Sequence, residues 1–411
     1  MIAGTIARII AIAALDPHFV DFYCFVDATQ AMLRGLDPHV LENLRYTTWN
    51  EAPLVFPGLT FLFIPFAFID PAIGKYIYFV ANVVAGIAFY ATAIRTSGLC
   101  ARYSLRKPDL QTALVTLGGF LFVNSIFFTL CIRGGQVSLF VALLLVLAIG
   151  APKEPQRIVA FGLAAVAKYS TVPVLGLQLF LIRRKALFCV LAFALFAAIS
   201  LYPALLGHNL IELYRSYFAC MQRWIVPGAA NHFANSGQTM LSSGLFKTVP
   251  SVAVNVVMLG LFLAAGFYRR KKLSSRIGLH EWFAVVCVTM TLEYHRTYDG
   301  VLVYPFLLLE AFALWRGGRR VHAAVLAAFA LFFALPGAVV DRIALWLGTV
   351  VGENPVVHLP VGQFPLLSAL FLLLTLHSLY LYAFCESAVA FWAGTEKDRP
   401  EETMPREEES I

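Results

Sequence analysis

The feature that most constrains this chain is a succession of apolar runs, most of them about as long as a bilayer is thick. A helix needs about 20 apolar residues to cross the hydrocarbon core of a membrane. The runs lie at 2–15, 53–69, 73–94, 111–131, 136–150, 158–182, 186–206, 251–268, 281–292, 297–314, 322–340 and 361–384. Charged residues make up 13% of the 411 residues, where a soluble domain carries about 25%. The chain is therefore predicted to be an all-α, polytopic membrane protein.

Short clusters of basic residues set the predicted orientation. Loops rich in Lys and Arg stay on the cytoplasmic side of the membrane. Clusters that together hold 17 of the 31 bases lie at 95–107, 153–157, 183–185, 269–276 and 316–320. We expect these loops to be cytoplasmic. The intervening loops, which we expect to face outward, are 132–135, 207–250, 293–296 and 341–360.

The run 53–69 is the weakest candidate for a membrane span. It is short, and Pro57 and Pro65 interrupt it. If it crossed the membrane together with 73–94, the basic loop that follows would lie on the wrong side. We therefore expect 53–69 to be interfacial or re-entrant.

The run 158–182 lies between two basic clusters, yet its 25 residues cannot form two full spans. It is predicted to be a pair of short helices that meet near Lys168, a break tolerated only where protein lines a cavity. The result is about twelve membrane helices in one membrane-embedded domain, 1–394, with both termini inside. No fixed-period repeat and no separate soluble domain is present.

The remaining charges point to no other class of protein. The tail 395–411 carries seven acids and three bases and is predicted to be cytoplasmic and disordered. The net charge of +7 comes from bases placed between apolar runs, so it indicates topology and not nucleic-acid binding. The seven cysteines contain no C-x-x-C pair, so no metal site or disulfide framework is readable.

The first external loop, 16–52, brings the first carboxylates of the chain to the membrane surface. Asp16, Asp21 and Asp27 follow an apolar run, and a carboxylate there can accept a proton from a hydroxyl as a general base. The stretch from Phe22 to Leu33 has the pattern of an amphipathic helix lying along the interface. For any one of these acids, a helix cap or a solvated loop residue is the structural alternative.

Two further polar features interrupt apolar sequence. In Arg133-Gly134-Gly135-Gln136, glycines allow close approach to the backbone, while Arg and Gln can bind a phosphate. A simple turn between helices explains the same residues equally well. Lys168 lies inside an apolar stretch, where an ammonium group is costly and marks a functional site by default. Its structural alternative is a side chain that snorkels to the interface.

A late polar segment, 293–299, separates two apolar helices and is predicted to face outward. His295 and Arg296 could bind a phosphate, and Asp299 could orient His295 or pair with Arg296. A polar loop without function is the alternative, as it is for 207–250. All these segments fall on the same predicted membrane face. Together they describe an outward-facing site with one acid and several phosphate-binding bases.

The order of short motifs along residues 16 to 310 resembles glycosyltransferase family 87, a family of GT-C-type membrane mannosyltransferases and relatives. The motifs are Asp21-Phe22-x-x-Phe25, Leu33-x-Gly35-x-Asp37-Pro38, Val55-Phe56-Pro57, Gly135-Gln136-Val137-x-Leu139, Ala165-x-Ala167-Lys168-x-x-x-x-Pro173 with Arg183-Arg184, Gln238-Thr239-Met240 with Lys247, and His295-x-x-Tyr298-Asp299. Ser138 and Gly237 stand where the family pattern has Asn. These departures, together with the His-Arg-Thr sequence of the late polar segment, leave open which sugar is transferred.

The resemblance implies transfer of a hexose, mannose first, from a polyprenyl-phosphate sugar to a lipid or glycan acceptor. It implies inversion of configuration at the anomeric carbon of the sugar and a site on the non-cytoplasmic face of a bacterial inner membrane. It also implies that the donor is not a nucleotide sugar and that no metal or other cofactor is obligatory. Asp21 would be the general base. The donor phosphate would be bound by Lys168, His295, Arg296, Arg133 and Gln136. Further candidate site residues are Asp27, Asp37, Gln238, Tyr298 and Asp299.

A membrane transporter or lipid flippase is the competing class, because broken helices and buried charges also mark transporters. Against it, the sequence shows no inverted repeat, and the charges cluster on one face instead of at the midplane. A membrane scaffold without chemistry would not need Lys168 in an apolar hairpin. An assay of transport in vesicles, set against an assay of lipid-linked sugar transfer, would separate the first two classes.

Overall fold

The computed structural model of the chain describes residues 9–10, 19–47, 52–96, 110–151, 153–168, 176, 186–225, 251–272, 279–292, 297–335, 339–340, 342–343, 345–347 and 363–385. Every regular element in these ranges is helical, which confirms the all-α prediction. The α-helices are α1 Val20–Leu33, α2 Thr60–Ala67, α3 Pro71–Thr96, α4 Leu110–Asn124, α5 Ile126–Gly134, α6 Ser138–Gly150, α7 Glu154–Ala167, α8 Ala186–Ser200, α9 Leu210–Ile225, α10 Ser251–Lys272, α11 Leu279–Leu292, α12 Tyr304–Arg316, α13 Arg320–Phe333 and α14 Gln363–Phe384. Short 3-10 helices lie at Leu41–Asn43, Pro57–Leu59, Tyr202–Leu206 and Thr297–Leu302.

Two helices in the described ranges are long and apolar enough to cross a membrane alone, Pro71–Arg95 and Ala186–Leu206. A bent pair, Val115–Asn124 and Ile126–Gly134, would make a third span across a 50° bend. Shorter apolar helical stretches of 10 to 17 residues lie at Pro57–Ala67, Ser138–Ala148, Val256–Arg269, Leu279–Met290, Arg320–Phe333 and Leu370–Phe384. The chain is thus a helical membrane protein, but the predicted count of about twelve spans is not confirmed.

The bend between α4 and α5 arises at Ser125. Its backbone is extended, with φ −62° and ψ 146°. Its Oγ accepts a hydrogen bond from the Phe128 amide at 3.2 Å and donates to the Phe122 carbonyl at 2.7 Å. A serine in this position caps a new helix by satisfying one of its free amides. The apolar run 111–131 therefore holds two helices and not one.

The helix α1 is buried in the protein, so the amphipathic pattern predicted for it is wrong. Nine of its residues are buried, Phe22, Val26 and Asp27 among them. Phe22 stacks on Tyr78 of α3 with ring centroids 5.1 Å apart. A Cβ atom at Gly74 would lie 3.2 Å from the Phe22 ring. The polar residues Asp27 and Thr29 are fully buried as well, and the place of the helix along the membrane interface stays a prediction.

The helix α2 has eight residues and is about 12 Å long at 1.5 Å per residue. It is too short to cross the hydrocarbon core, in agreement with the interfacial or re-entrant reading of 53–69. Pro65 lies inside it, and the 3-10 turn Pro57–Leu59 precedes it.

The helices α6 and α7 form an antiparallel pair joined by a short connection at 151–153. The helix α7 is about 21 Å long and ends at Ala167, where Lys168 takes a non-helical backbone with φ −156°. The first arm of the predicted broken hairpin thus stops beside Lys168. The second arm falls almost entirely outside the described residues.

An amphipathic helix, α9, lies in the segment 207–250 that the sequence predicts only as a polar loop. Leu213, Tyr217 and Cys220 are buried on one side, while Ile211 and Phe218 are 73% and 52% exposed. A large apolar surface exposed beside polar residues is typical of a helix at a membrane interface. The rest of that loop, 226–250, lies outside the described residues.

Buried ionic groups join the last helices of the chain. His280 of α11 forms an ion pair with Glu310 of α12, and both side chains are almost fully buried. Arg269 of α10 donates to the carbonyls of Tyr382 and Cys385 at 2.7 and 3.0 Å. Removing one partner of a buried ion pair costs about 3–5 kcal/mol. These contacts therefore fix α11 against α12 and α10 against the end of α14.

Candidate active site

The structure brings Asp21 to the polar island Arg133–Gln136, although more than a hundred residues separate them in the chain. The amide of Phe19, just before α1, donates to the carbonyl of Arg133 at 3.1 Å. A Cβ atom placed on Gly134 would lie 3.1 Å from Oδ2 of Asp21 and 3.6 Å from Cγ of Gln136. The two features that the sequence singles out independently therefore form one site.

The contact depends on two glycines. Gly135 ends α5 in the left-handed region, with φ 70°, a conformation that costs glycine nothing. A Cβ there would lie 2.9 Å from Cβ and 3.3 Å from the amide of Phe22, which is closer than a side chain tolerates. The Gln136 amide donates back to the Cys131 carbonyl at 3.0 Å. The turn is thus shaped so that the start of α1 packs directly on it.

Asp21 lies at the start of α1, beside the glycine turn. It is half-buried and belongs to the first turn of the helix. The free amide groups at a helix N-terminus carry partial positive charge, which stabilises a nearby anion by about 0.3–1 kcal/mol. The lack of a side chain at Gly134 lets the backbone of the turn lie close to Oδ2, since a Cβ atom there would be only 3.1 Å away. The helix end and the glycine together hold a half-buried carboxylate at the turn.

Asp27 is not available for chemistry, although the sequence places it among the candidates. Its Oδ1 accepts from the Arg45 amide at 3.1 Å. Its Oδ2 accepts from the amides of Tyr46 and Thr47 at 2.7 and 2.6 Å and from the Thr47 hydroxyl at 2.8 Å. The carboxylate is fully buried. Asp27 therefore holds the end of the first external loop onto α1.

Asp37 likewise organises the loop. It accepts from the His39 amide at 2.8 Å and lies 3.1 Å from Nδ1 of the same residue. Burial acts to raise the pKa of Asp37, but hydrogen bonds from His39 and Ser216 outweigh it and lower the pKa. His39 in turn meets the Val55 carbonyl through Nε2 at 3.0 Å. This network joins the loop to α9 and to the segment before α2.

Lys168 lies at the same end of the α6–α7 pair as Gln136. The two helices are antiparallel and of similar length, so the end of α7 returns to the level at which α6 begins. Lys168 is half-buried there. Arg133, the last basic residue of α5, is exposed. Both cations thus lie on the side of the molecule where Asp21 meets the glycine turn.

The remaining sequence candidates lie partly or wholly outside the described residues. His295, Arg296, Gln238 and Asp16 are not described. Tyr298 and Asp299 belong to the 3-10 helix Thr297–Leu302, but their side chains are not described. The backbone of this element packs on α5 and α6, and a Cβ at Gly300 would lie 2.7 Å from the Phe127 ring. The segment that carries them therefore flanks the helix that presents Gly134.

Two buried polar residues of α3, Tyr78 and Asn82, are absent from the sequence candidates. Tyr78 lies near enough to Asp21 for the two side chains to interact electrostatically. The Tyr78 hydroxyl and both amide atoms of Asn82 are buried, and the two side chains lie close enough to interact with each other. Asn82 is the one amide side chain in the run 73–94. That isolation in apolar sequence is the signal that could have found it.

No group of three or more His, Cys, Asp or Glu side chains is placed to hold a metal ion in the portion of the chain that the structure describes. The described part of the site contains the Asp21 carboxylate, the glycine turn, the buried Gln136 amide and the cations Lys168 and Arg133. Such a set can accept a proton and hold an anion, which are the two tasks of a group transfer from a phosphate ester.

Comparison with known proteins gives one match. A family model described as glycosyltransferase family 87 matches residues 57–292. This range covers α2 to α11 and includes the glycine turn and Lys168. It begins after Asp21 and ends before His295. No curated protein and no solved structure matches the chain.

Proposed function

The chain belongs to glycosyltransferase family 87, and from this premise we propose that it transfers a hexose from a polyprenyl-phosphate sugar to a lipid or glycan acceptor. Mannose is the first sugar to test. The transfer takes place on the non-cytoplasmic face of a cell membrane. The observation that carries the proposal is the close approach of the Asp21 carboxylate to Gly134. It joins a carboxylate of the first loop to a turn inside the family-matched region.

Asp21 is the general base of the proposed reaction. An acceptor hydroxyl attacks the anomeric carbon of the sugar and gives its proton to the Asp21 carboxylate. The bond between that carbon and the phosphate oxygen breaks, and polyprenyl phosphate leaves with the electron pair. A single displacement of this kind inverts the anomeric carbon and needs one base. The carboxylates of Asp27 and Asp37 in the same loop accept hydrogen bonds that hold the loop in place.

The donor phosphate requires cations at the same end of the helices. Lys168 and Gln136 supply an ammonium group and an amide at the level of the glycine turn. Charge-assisted hydrogen bonds to a phosphate are roughly twice as strong as neutral ones. Arg133 is placed to meet an anion that approaches from the membrane surface, and the sequence adds His295 and Arg296. The polyprenyl chain would extend from this point into the bilayer.

The transporter alternative has no observation in its favour, since the matched family is one of transferases. Alternating access requires two halves that rock around a site at the midplane. Here the site lies where the first turn of α1 packs against one helix end, and it is fixed by the contacts of Phe22 and Gly135.

The donor is tested by supplying it in two forms. Purified protein in nanodiscs would receive radiolabelled mannose as polyprenyl-phosphate mannose or as GDP-mannose, with membrane glycolipids as acceptors. We expect product only from the lipid-linked donor, with the opposite anomeric configuration in the product. The variant Lys168→Met, which removes the ammonium group, tests whether Lys168 contributes to binding of the lipid-linked donor. Turnover with the nucleotide sugar alone, in membranes free of polyprenyl phosphate, would overturn the proposed donor class.

A further inference from the structure

A large apolar cavity lies far from Asp21, between α3, α4, α12 and α13. Its volume is about 410 Å³. The residues that define its walls include Tyr90, Gly118, Leu308, Trp315, Ala327 and Leu331. No step of the sugar transfer uses it.

The cavity exists because small side chains leave it unfilled. The α13 wall consists largely of alanines, including Ala323, Ala324 and Ala327, whose small side chains leave the space between α13 and α4 unfilled. The Tyr90 hydroxyl, the main polar group in the wall, donates to the Val115 carbonyl at 2.8 Å. Its hydrogen-bonding capacity is therefore met within the protein. What remains is a surface suited to hydrocarbon.

The cavity is a groove open to the lipid side of the protein. Leu117, Trp315 and Leu331 line it and are 42%, 54% and 56% exposed. From Ala323 to Leu331 the α13 wall extends about 12 Å at 1.5 Å per residue. One leaflet of the hydrocarbon core is about 15 Å deep, half of the 30 Å total. The groove thus runs along most of one leaflet.

One end of the groove carries positive charge. Trp315 at this end is followed by Arg316, and the guanidinium carbon of Arg320 lies 5.9 Å from the centroid of the Trp315 ring. Both arginines are exposed. Tryptophan beside basic residues marks the level of the lipid headgroups, and the bases identify the cytoplasmic leaflet.

The charged end is also remote from the proposed reaction. Tyr78, which interacts with Asp21, and Tyr90, which lines the groove, lie on the same helix α3. Their separation of twelve positions in the chain corresponds to about 18 Å along the axis of α3. A lipid whose phosphate lies at Arg316 and Arg320 therefore cannot present that phosphate to Asp21.

We propose that this groove binds an anionic phospholipid of the cytoplasmic leaflet, with one acyl chain in the groove and the phosphate between Arg316 and Arg320. Arginine offers parallel donors that match phosphate oxygens, and a basic pocket between membrane helices on this side is suited to such a headgroup. The alanine wall accepts a chain without a polar group. The bound lipid fills space between two helix pairs and so stabilises the fold.

The isoprenoid chain of the donor is the competing occupant. It is equally apolar, but its phosphate belongs at the other face and brings no partner for Arg316 and Arg320. The two occupants are distinguished by the dependence on headgroup charge. Because this site lies outside the transfer machinery, its failure would leave the proposed activity standing.

The test is the melting temperature of the delipidated protein in detergent, measured against added phosphatidylglycerol, phosphatidylcholine or polyprenyl phosphate. A ligand that binds only the folded state raises stability in proportion to the logarithm of its concentration over Kd. We expect phosphatidylglycerol to raise the melting temperature at concentrations where phosphatidylcholine has little effect. The paired variant Arg316→Gln with Arg320→Gln should weaken the apparent affinity for phosphatidylglycerol about 25-fold. Each basic side chain near a lipid phosphate contributes about fivefold to that affinity.

Groove filling gives an independent variant. Ala327→Trp occupies the space for the chain and should abolish the effect of phosphatidylglycerol while sugar transfer at saturating donor remains. The matched controls are Ala194→Trp on the exposed side of α8 and Lys153→Gln in another basic loop, which should respond as the unaltered protein does. Should Ala327→Trp fail to fold, the paired arginine variant decides alone.

Two results would overturn the proposal. An equal rise with phosphatidylcholine would show that the groove takes any acyl chain and that the arginines select no headgroup. Polyprenyl phosphate could instead raise the melting temperature of the unaltered protein and of the paired arginine variant, but not that of Ala327→Trp. That result would assign the groove to the isoprenoid chain of the donor.

Discussion

The substitution Asp27→Asn should release the end of the first external loop without removing a catalytic group. The carboxylate accepts four hydrogen bonds, three of them from consecutive backbone amides at Arg45, Tyr46 and Thr47. Asparagine has one acceptor oxygen and an NH₂ group that would face one of these amides. At best, the asparagine oxygen keeps the three hydrogen bonds that Oδ2 of the aspartate accepts, each weakened by loss of the negative charge. The hydrogen bond that Oδ1 accepts from the Arg45 amide is then lost.

The expected cost follows from these four bonds. A hydrogen bond to a charged group contributes about 1.5–3 kcal/mol, a neutral one about 0.5–1.5 kcal/mol. At the lower end of these ranges, losing one bond and weakening three gives a local destabilisation of about 4.5 kcal/mol, which corresponds to roughly a two-thousandfold faster exchange of the protected amides. Hydrogen exchange with mass spectrometry on peptides covering 38–48 measures it directly.

The control is Glu42→Gln, an exposed carboxylate in the same loop, which should leave the exchange rates unchanged. The rate of sugar transfer by Asp27→Asn should fall only in proportion to the loss of order in the first external loop. Unchanged exchange together with a loss of turnover of several hundredfold would refute this reasoning and return Asp27 to the chemistry.

Three more outcomes follow from the site geometry. Gly135→Ala should cost stability and most activity, because φ is 70° and the new Cβ would lie 2.9 Å from Cβ of Phe22; a melting curve and a transfer assay measure both. Asp37 has a lowered pKa in the folded loop, so its contribution to stability is complete above the unfolded value of about 3.9 and is lost as the pH falls through the folded value. Pepsin cleavage of the loop should therefore increase sharply below about pH 4 in the unaltered protein, whereas in Asp37→Asn this rise should be much smaller. Lys168→Met should raise the KM for the lipid-linked donor more than it lowers kcat, and an unchanged KM would mean that Lys168 only snorkels.

The helix positions were largely predictable from apolar run length. The runs 73–94, 251–268 and 361–384 each become one helix within a few residues of the predicted ends, because a membrane helix has to satisfy its own backbone. The run 111–131 splits into two helices at Ser125. The hydropathy profile does not detect this break, because one serine barely lowers the mean hydropathy of the run. The helix α9 was missed because its polar face lowers the mean hydropathy of the segment and hides its apolar face.

The candidate site was predictable in its members more than in its contacts. Asp21 and Gln136 could each be singled out, since a carboxylate and a polar island stand out between apolar runs. Nothing in the spacing says that Gly135 touches Phe22, because that contact depends on the turn after α5 and on burial of α1. The family motif favours Asp21 over Asp27, but the structural role of Asp27 was not visible in the sequence. That role depends on its hydrogen bonds to the amides of Arg45 to Thr47, which only the folded loop brings to α1.

The central claim is that Asp21 removes the proton of the acceptor hydroxyl, and the rate of sugar transfer by purified Asp21→Asn tests it most directly. General-base assistance is typically worth about 10²–10⁴-fold, so kcat should fall by that factor. Donor affinity, melting temperature and hydrogen exchange of the first loop should stay close to those of the unaltered protein. Near-normal kcat in a folded Asp21→Asn, with loss of turnover in a folded Asp27→Asn, would contradict the assignment and identify Asp27 as the base.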